Sequence, residues 1–275
     1  MRVAFHGVRG SVPAPGPSTA RYGGNTSCVE VRLSDDSLLV LDAGTGLREL
    51  GNKLISNGST PDVHLLLSHA HWDHILGLPF FGPLWRKDTR LFIYPLANDA
   101  QERFQRTIFD DIHFPVSAND IPAKLSFERP RVERWSIGPA EITRIKLNHP
   151  GGAQGFRIDD SKRSVVYLTD NELTPSARTA WDELLRFAHG ADVLIHDSQY
   201  LPSDMPHKRG WGHSIVDDVL ELGRQSEIKQ LVLFHHDPDR DDAALDVIGE
   251  NARAWMAERA PEVEVVVARE GLVLT

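Results

Sequence analysis

The residues best equipped for chemistry are crowded into one stretch, Ser68-His69-Ala70-His71-Trp72-Asp73-His74-Ile75-Leu76-Gly77-Leu78. Neutral imidazole and carboxylate are the donors that zinc and similar divalent ions take, and residues two apart on a turning loop can aim at one ion. The apolar run Val63 to Leu67 directly before them reads as a short buried strand. A surface loop that is His-rich by chance is the bland alternative. It gives no reason to gather four donors at the end of a buried strand. Further along, His149, Asp170, Asp197 and His235 also follow apolar, strand-like runs or lie on the loops leaving them. Donors converge most readily at one sheet edge when they follow strand C-termini, so one composite site is expected.

The elements that must position these residues alternate in type. Val3 to Phe5, Cys28 to Leu33, Leu38 to Leu41, Glu141 to Leu147, Ser164 to Leu168, Val193 to Ile195, Leu231 to Phe234 and Val263 to Val267 read as strands. Leu47 to Asn57, Trp181 to His189 and Asp242 to Ala260 read as helices. A further helix starting at His74 should be stopped early by Pro79 and Pro83. Ser214, with Asp217 three residues on, reads as the N-cap of a helix through Arg224. Gly23-Gly24-Asn25-Thr26 lacks the spacing of a nucleotide fingerprint. It is either a tight turn or a backbone contribution to the site mouth. From Gly82 to Trp135 the pattern is poorly periodic, with aromatic and basic residues interleaved. That stretch, 82–135, is read as an insertion in a single domain spanning 1–275, either covering the site or packing on the sheet.

Composition limits the function. At 275 residues with 41% hydrophobic and 25% charged, the chain suits one large globular α/β domain. No apolar run has the length of a signal peptide core or a membrane span, so a cytoplasmic location without membrane attachment is expected. The single cysteine, Cys28, excludes an intrachain disulfide; it reads as a buried structural residue, the thiolate-ligand reading being the alternative. A formal charge of -9 argues against a long nucleic acid partner and for a small anionic substrate steered by a local positive site. His6, His64, His113, His189, His196 and His207 read as structural or solvated.

Taken in order, His69-x-His71-x-Asp73-His74, His149, Asp170 and His235 closely resemble the dimetal site of the metallo-beta-lactamase fold superfamily. The resemblance implies a four-layer αββα sandwich with the metals at one sheet edge. It implies that His69, His71 and His149 hold one divalent ion, that Asp73, His74 and His235 hold the second, and that Asp170 bridges both. Zinc is the first expectation, with manganese or iron as alternatives. Whether His236 contributes beside His235 stays open. The cysteine-containing beta-lactamases use a thiolate where this chain has Asp170, and Cys28 is misplaced to replace it, so penicillin hydrolysis is not expected. The ribonuclease Z and phosphodiesterase branch is the better match, through Gly212-His213-Ser214, Val193-Leu194-Ile195-His196-Asp197 and Leu231-Val232-Leu233-Phe234-His235. That likeness implies that His213 acts at the scissile phosphate and that Asp197 orients it. The long arm by which ribonuclease Z grips transfer RNA is not seen. Gly7 to Pro13, Tyr22 to Ser27 and Asn148 to Gly152 resemble bacterial phosphodiesterases of cyclic phosphates. The implied activity is hydrolysis of small, cyclic phosphodiesters by a metal-bridging hydroxide. Alternatives are ribonuclease Z-like RNA processing, hydrolysis of thioesters, lactones or carboxyl esters, and a metal-bound sensor without turnover. A homodimer is the default for the assembly.

Overall fold

In the computed structural model, which describes residues 1–58, 62–96, 108–109, 113–161 and 163–275, strands that are mostly buried on both faces build two seven-stranded sheets. The first contains β1 (Arg2–Gly7), β2 (Cys28–Arg32), β3 (Leu38–Leu41), β4 (Asp62–Leu66), β5 (Arg90–Tyr94), β6 (Lys124–Phe127) and β14 (Val273–Leu274), in the order β14-β1-β2-β3-β4-β5-β6. The second contains β7 (Arg134–Ile137), β8 (Ala140–Leu147), β9 (Ala153–Asp160), β10 (Arg163–Leu168), β11 (Val193–Asp197), β12 (Gln230–Phe234) and β13 (Glu264–Val267), in the order β13-β12-β11-β10-β9-β8-β7. β3 through β6 run parallel to one another, as do β10 through β13. Parallel neighbours send their C-terminal ends to the same edge.

Alternation along the strands explains the layering. Leu39 and Leu41 of β3, Val165 and Tyr167 of β10, Val193 and Ile195 of β11, and Val232 and Phe234 of β12 share a core between the sheets. Their intervening neighbours face outward. Leu38 and Val40 pack under α1 (Leu47–Ser56) through Leu47, Leu50 and Leu54. Val166, Leu194, Leu231 and Leu233 pack under α3 (Arg178–Ala188), α4 (Val216–Gln225) and α5 (Asp242–Arg259). The result is the expected helix–sheet–sheet–helix sandwich.

Several elements differ from the sequence expectation. The helix expected from His74 is a single turn, α2 (Trp72–Ile75), followed by 3-10 turns at Leu78–Phe80 and Gly82–Trp85, each with a proline in its first turn. Ser214 does not cap α4, whose N-cap is Ile215 with no side-chain cap. Its hydroxyl instead donates to the Asn171 carbonyl and accepts from Leu173 N at 3.0 Å. Strand β9 was not anticipated. Within 82–135, β5, β6 and β7 are strands of the sheets, while the part of the expected cover at 97–107 and 110–112 lies outside the described residues. Gly23 has φ near +100° and accepts Arg9 Nε on its carbonyl at 2.8 Å, as a tight turn would. Cys28 is fully buried, and burial pushes its thiol up, so it remains protonated.

Candidate active site

The strand ends supply the site. Asp42 follows β3, Asp170 follows β10 and His235 follows β12, and all three have positive φ (60°, 55° and 57°). Non-glycine residues in this region are uncommon and cluster at functional positions. At each the chain turns sharply off the sheet; Asp170 and His235 bring their side chains into the donor cluster, and Asp42 sets its carboxylate behind His74.

Seven side chains meet there in two sets that share one carboxylate. Potential ligand atoms of His69, His71, His149 and Asp170 lie within 4.8 Å of one another, as do those of Asp73, His74, Asp170 and His235. Asp170 divides its oxygens between the sets. Oδ1 is 3.1 Å from both His74 Nε2 and His235 Nε2, whereas Oδ2 is 3.6 Å from His69 Nε2 and 3.7 Å from His149 Nε2. His149 Nε2 stands 3.1 Å from His71 Nδ1, and His235 Nε2 3.3 Å from His74 Nε2. Two donors about 2.1 Å from one tetrahedral ion stand about 3.4 Å apart, so these separations suit ligands of a common cation.

The outward-facing nitrogens settle which nitrogen faces the cleft. His149 Nδ1 lies 3.0 Å from the Gly212 carbonyl, which can only accept, so Nδ1 carries the hydrogen and Nε2 the lone pair. His74 Nδ1 is held by Asp42 Oδ2 at 2.8 Å, and His235 Nδ1 by Gln199 Oε1 at 3.0 Å. His69 Nδ1 meets Ser68 Oγ at 3.0 Å, while its Nε2 is buried with no hydrogen-bond partner. A buried, unpaired imidazole nitrogen aimed at a carboxylate is costly in the protein alone and is satisfied by a cation. The residues present therefore fit a pair of divalent ions.

The charges are strongly perturbed. Burial would raise the Asp170 carboxyl, but His235 and His74 hold it well below the usual range. Burial would lower His74, and Asp170, Asp73 and Asp42 raise it well above the ordinary histidine value instead. For His69, burial prevails and lowers it.

A second tier of residues fixes the donors, and sequence reasoning missed most of it. Asp42 accepts from Ser68 N at 2.7 Å and from Ser68 Oγ and Tyr167 OH at 2.8 Å, besides gripping His74. Ser11 N donates to Asp73 Oδ2 at 2.7 Å, and Ser11 Oγ accepts from Gln199 Nε2 at 3.1 Å. A Cβ on Gly10 would lie 2.3 Å from His235 Nδ1, so only glycine lets this loop approach. The one available signal was Asp42-Ala43-Gly44 at the end of an apolar strand, which resembles any polar strand end.

His213 lies at the same mouth. Its Nδ1 is 2.8 Å from Asp197 Oδ2, whose Oδ1 accepts from Gln199 N at 3.0 Å. Burial opposes charge on the imidazole, yet Asp197 raises it to about 9. His236 points away, with Nε2 2.8 Å from the Ala268 carbonyl. The remaining histidines lie apart from the donors: His6 bonds Glu30, His64 stacks on Phe92, His196 Nδ1 bonds the Asp197 carbonyl, and His189 and His207 are exposed. His113 sits against the Trp72 ring.

Fold and donor set together define a metal-dependent hydrolase of the metallo-beta-lactamase fold. The sequence matches the Beta-lactamase superfamily domain over residues 38–236, and the chain belongs to that family. It is 26% identical to a ribonuclease Z of Thermoplasma acidophilum over 98% of this chain and 98% of that protein. In three dimensions it is similar to YhfI of Bacillus subtilis, a metallo-beta-lactamase fold protein, with a TM-score of 0.73 and 22% identity over 99% of this chain and 98% of the other. A diphosphatase of the PhnP family superposes with a TM-score of 0.70 and 21% identity, covering 100% and 97%. Among the described residues no helix is long and apolar enough to cross a membrane.

Proposed function

We propose that this chain hydrolyses small, cyclic phosphodiesters. The observation that carries the reading is the split of Asp170, one oxygen toward each donor set, with the His213–Asp197 pair at the same opening. In this reading His69, His71 and His149 would hold one ion and Asp73, His74 and His235 the other, with Asp170 available to both sets. Zinc suits these imidazole and carboxylate donors, as do manganese and iron. Bound there, a pair of ions polarises phosphoryl oxygens and lowers the pKa of water toward neutrality.

The chain's own residues do the rest. Asp197 holds His213 in one ring orientation by accepting from Nδ1, which leaves Nε2 to face the substrate. Protonated Nε2 donates to a phosphoryl oxygen or delivers its proton to the departing alkoxide. Ser11 and Gln199 keep Asp73 and His235 fixed as charge moves in the cleft. The similarity to a ribonuclease Z and to a PhnP-family diphosphatase supports phosphoester chemistry, and the chain's charge of -9 favours a small anion over a long nucleic acid. A cytoplasmic, homodimeric enzyme accords with this reading.

Elemental analysis of the purified protein, followed by assay on bis(p-nitrophenyl) phosphate, tests it. Two ions per chain are expected. Asp73→Ala should abolish turnover with loss of one ion, and His213→Ala should lower kcat about 100-fold or more with both ions retained. Full activity in His213→Ala, or hydrolysis of a thioester but of no phosphodiester, overturns the assignment.

A further inference from the structure

Trp211 is in an unusual situation. Both of its chain neighbours are tied to the site: Gly210 N and Gly212 N donate to the Glu172 carboxylate at 2.8 and 3.0 Å, and the Gly212 carbonyl accepts from His149 Nδ1 at 3.0 Å. The backbone is therefore fixed against the donor cluster. Its indole nevertheless remains 57% exposed. Leaving a large aromatic in water forgoes hydrophobic stabilisation that a polar residue here would not need.

The ring is also held. Lys208 Nζ lies 4.3 Å from the Trp211 ring centroid and 5.5 Å from that of Tyr200. Tyr200 in turn meets the His213 ring edge-on at 5.5 Å. A cation over one face fixes the indole's attitude and leaves the other face for a flat partner. A second indole, Trp72, lies between His71 and Asp73 in the chain and is 47% exposed. His71 and His149 touch, and His149 touches Gly212, so each tryptophan is the chain neighbour of a residue in this line of contacts.

We propose that Trp211 is the platform on which a nucleobase of the substrate stacks, with Lys208 as its positioning residue, so that the preferred substrates are nucleoside phosphodiesters. The inference rests on the phosphodiesterase reading above and narrows its substrate class. Stacking is the recognition mode open here, because every base has a flat face and an exposed indole matches it. The mouth then combines an anion-binding floor with an aromatic wall, which selects a phosphate joined to a planar group over a phosphate alone.

The test compares two five-membered cyclic diesters on the metal-loaded protein, adenosine 2′,3′-cyclic phosphate and ethylene phosphate, which differ by the nucleoside. In Trp211→Ala the ratio of kcat/KM for the adenosine diester to that for ethylene phosphate should fall about tenfold, through KM, and Trp211→Phe should restore most of it. Calorimetric binding of adenosine 2′-monophosphate should weaken to the same extent in Trp211→Ala. An unchanged ratio, whether both activities fall together or neither falls, overturns the proposal. So does equal binding of the monophosphate to wild type and variant. If wild type turns over neither diester but monophosphate binding still weakens in the variant, the phosphodiesterase reading fails while the stacking platform stands.

Discussion

At the scale of single residues, Asp42 shows how the site is held. It is fully buried and collects bonds from His74, Ser68 and Tyr167. Only an acceptor at that point keeps the hydrogen on His74 Nδ1 and the lone pair of Nε2 toward the cleft. Asp42→Asn preserves the shape and removes the charge; it should weaken binding of the ion at the Asp73, His74 and His235 set by about 10–100-fold. Competition with a chromophoric chelator measures this, and an unchanged affinity would remove Asp42 from the role. Neither Asp42 nor Gln199 was legible in the sequence. The gathering of the seven clustered residues was, because His69 to His74 are dense in one stretch and the others end apolar runs. Asp42 and Gln199 carry no local signature, and what defines them is a contact across 32 residues to His74 in one case and 36 to His235 in the other.

At the scale of elements, Ser214 marks where local rules yielded to tertiary contacts. The residue type and spacing of a capping box are present, yet the hydroxyl serves Asn171 and Leu173, and the chain enters α4 from a bridge to Tyr200. This clamp fixes the loop that leaves Asp170 against the loop that carries His213. Ser214→Ala leaves two buried backbone groups short of a partner, which should cost about 1–3 kcal/mol in urea unfolding. A helix cap lost from an exposed terminus would leave turnover alone. Here kcat should fall as well, and a variant with lowered stability but unaltered kcat would restore the capping role. Strands β8, β10, β11 and β12 were readable from apolar runs or alternation. β9 was not, because Gln154, Gly155 and Arg157 interrupt its pattern while the register against β8 and β10 still holds it. β5 to β7 were hidden among the aromatic and basic residues of 82–135, whose periodicity is too weak to separate strand from cover.

At the scale of the molecule, two sheets pressed face to face leave few places for charge, and one of them is in the first sheet, away from the donors. Glu30 of β2 is buried and accepts from Arg2 and Arg32 while meeting His6 Nε2 at 2.9 Å. Burial alone would raise its carboxyl, but His6 and Arg32 hold it down to about 2, against an ordinary value of 4.5. A carboxyl with a depressed folded-state pKa binds its proton more readily in the unfolded chain. Its contribution to stability is therefore complete above about pH 4.5 and disappears as pH falls through about 2. Protonation of the donor histidines and loss of ions in acid will also destabilise the fold, so the wild-type curve alone cannot report Glu30. The difference between wild type and Glu30→Gln, taken at each pH by urea unfolding, cancels what the two proteins share. That difference should hold constant from pH 7 to about 5 and then shrink toward pH 2. A difference independent of pH would mean that Glu30 stabilises the sheet by packing and neutral hydrogen bonds, with no contribution from its charge.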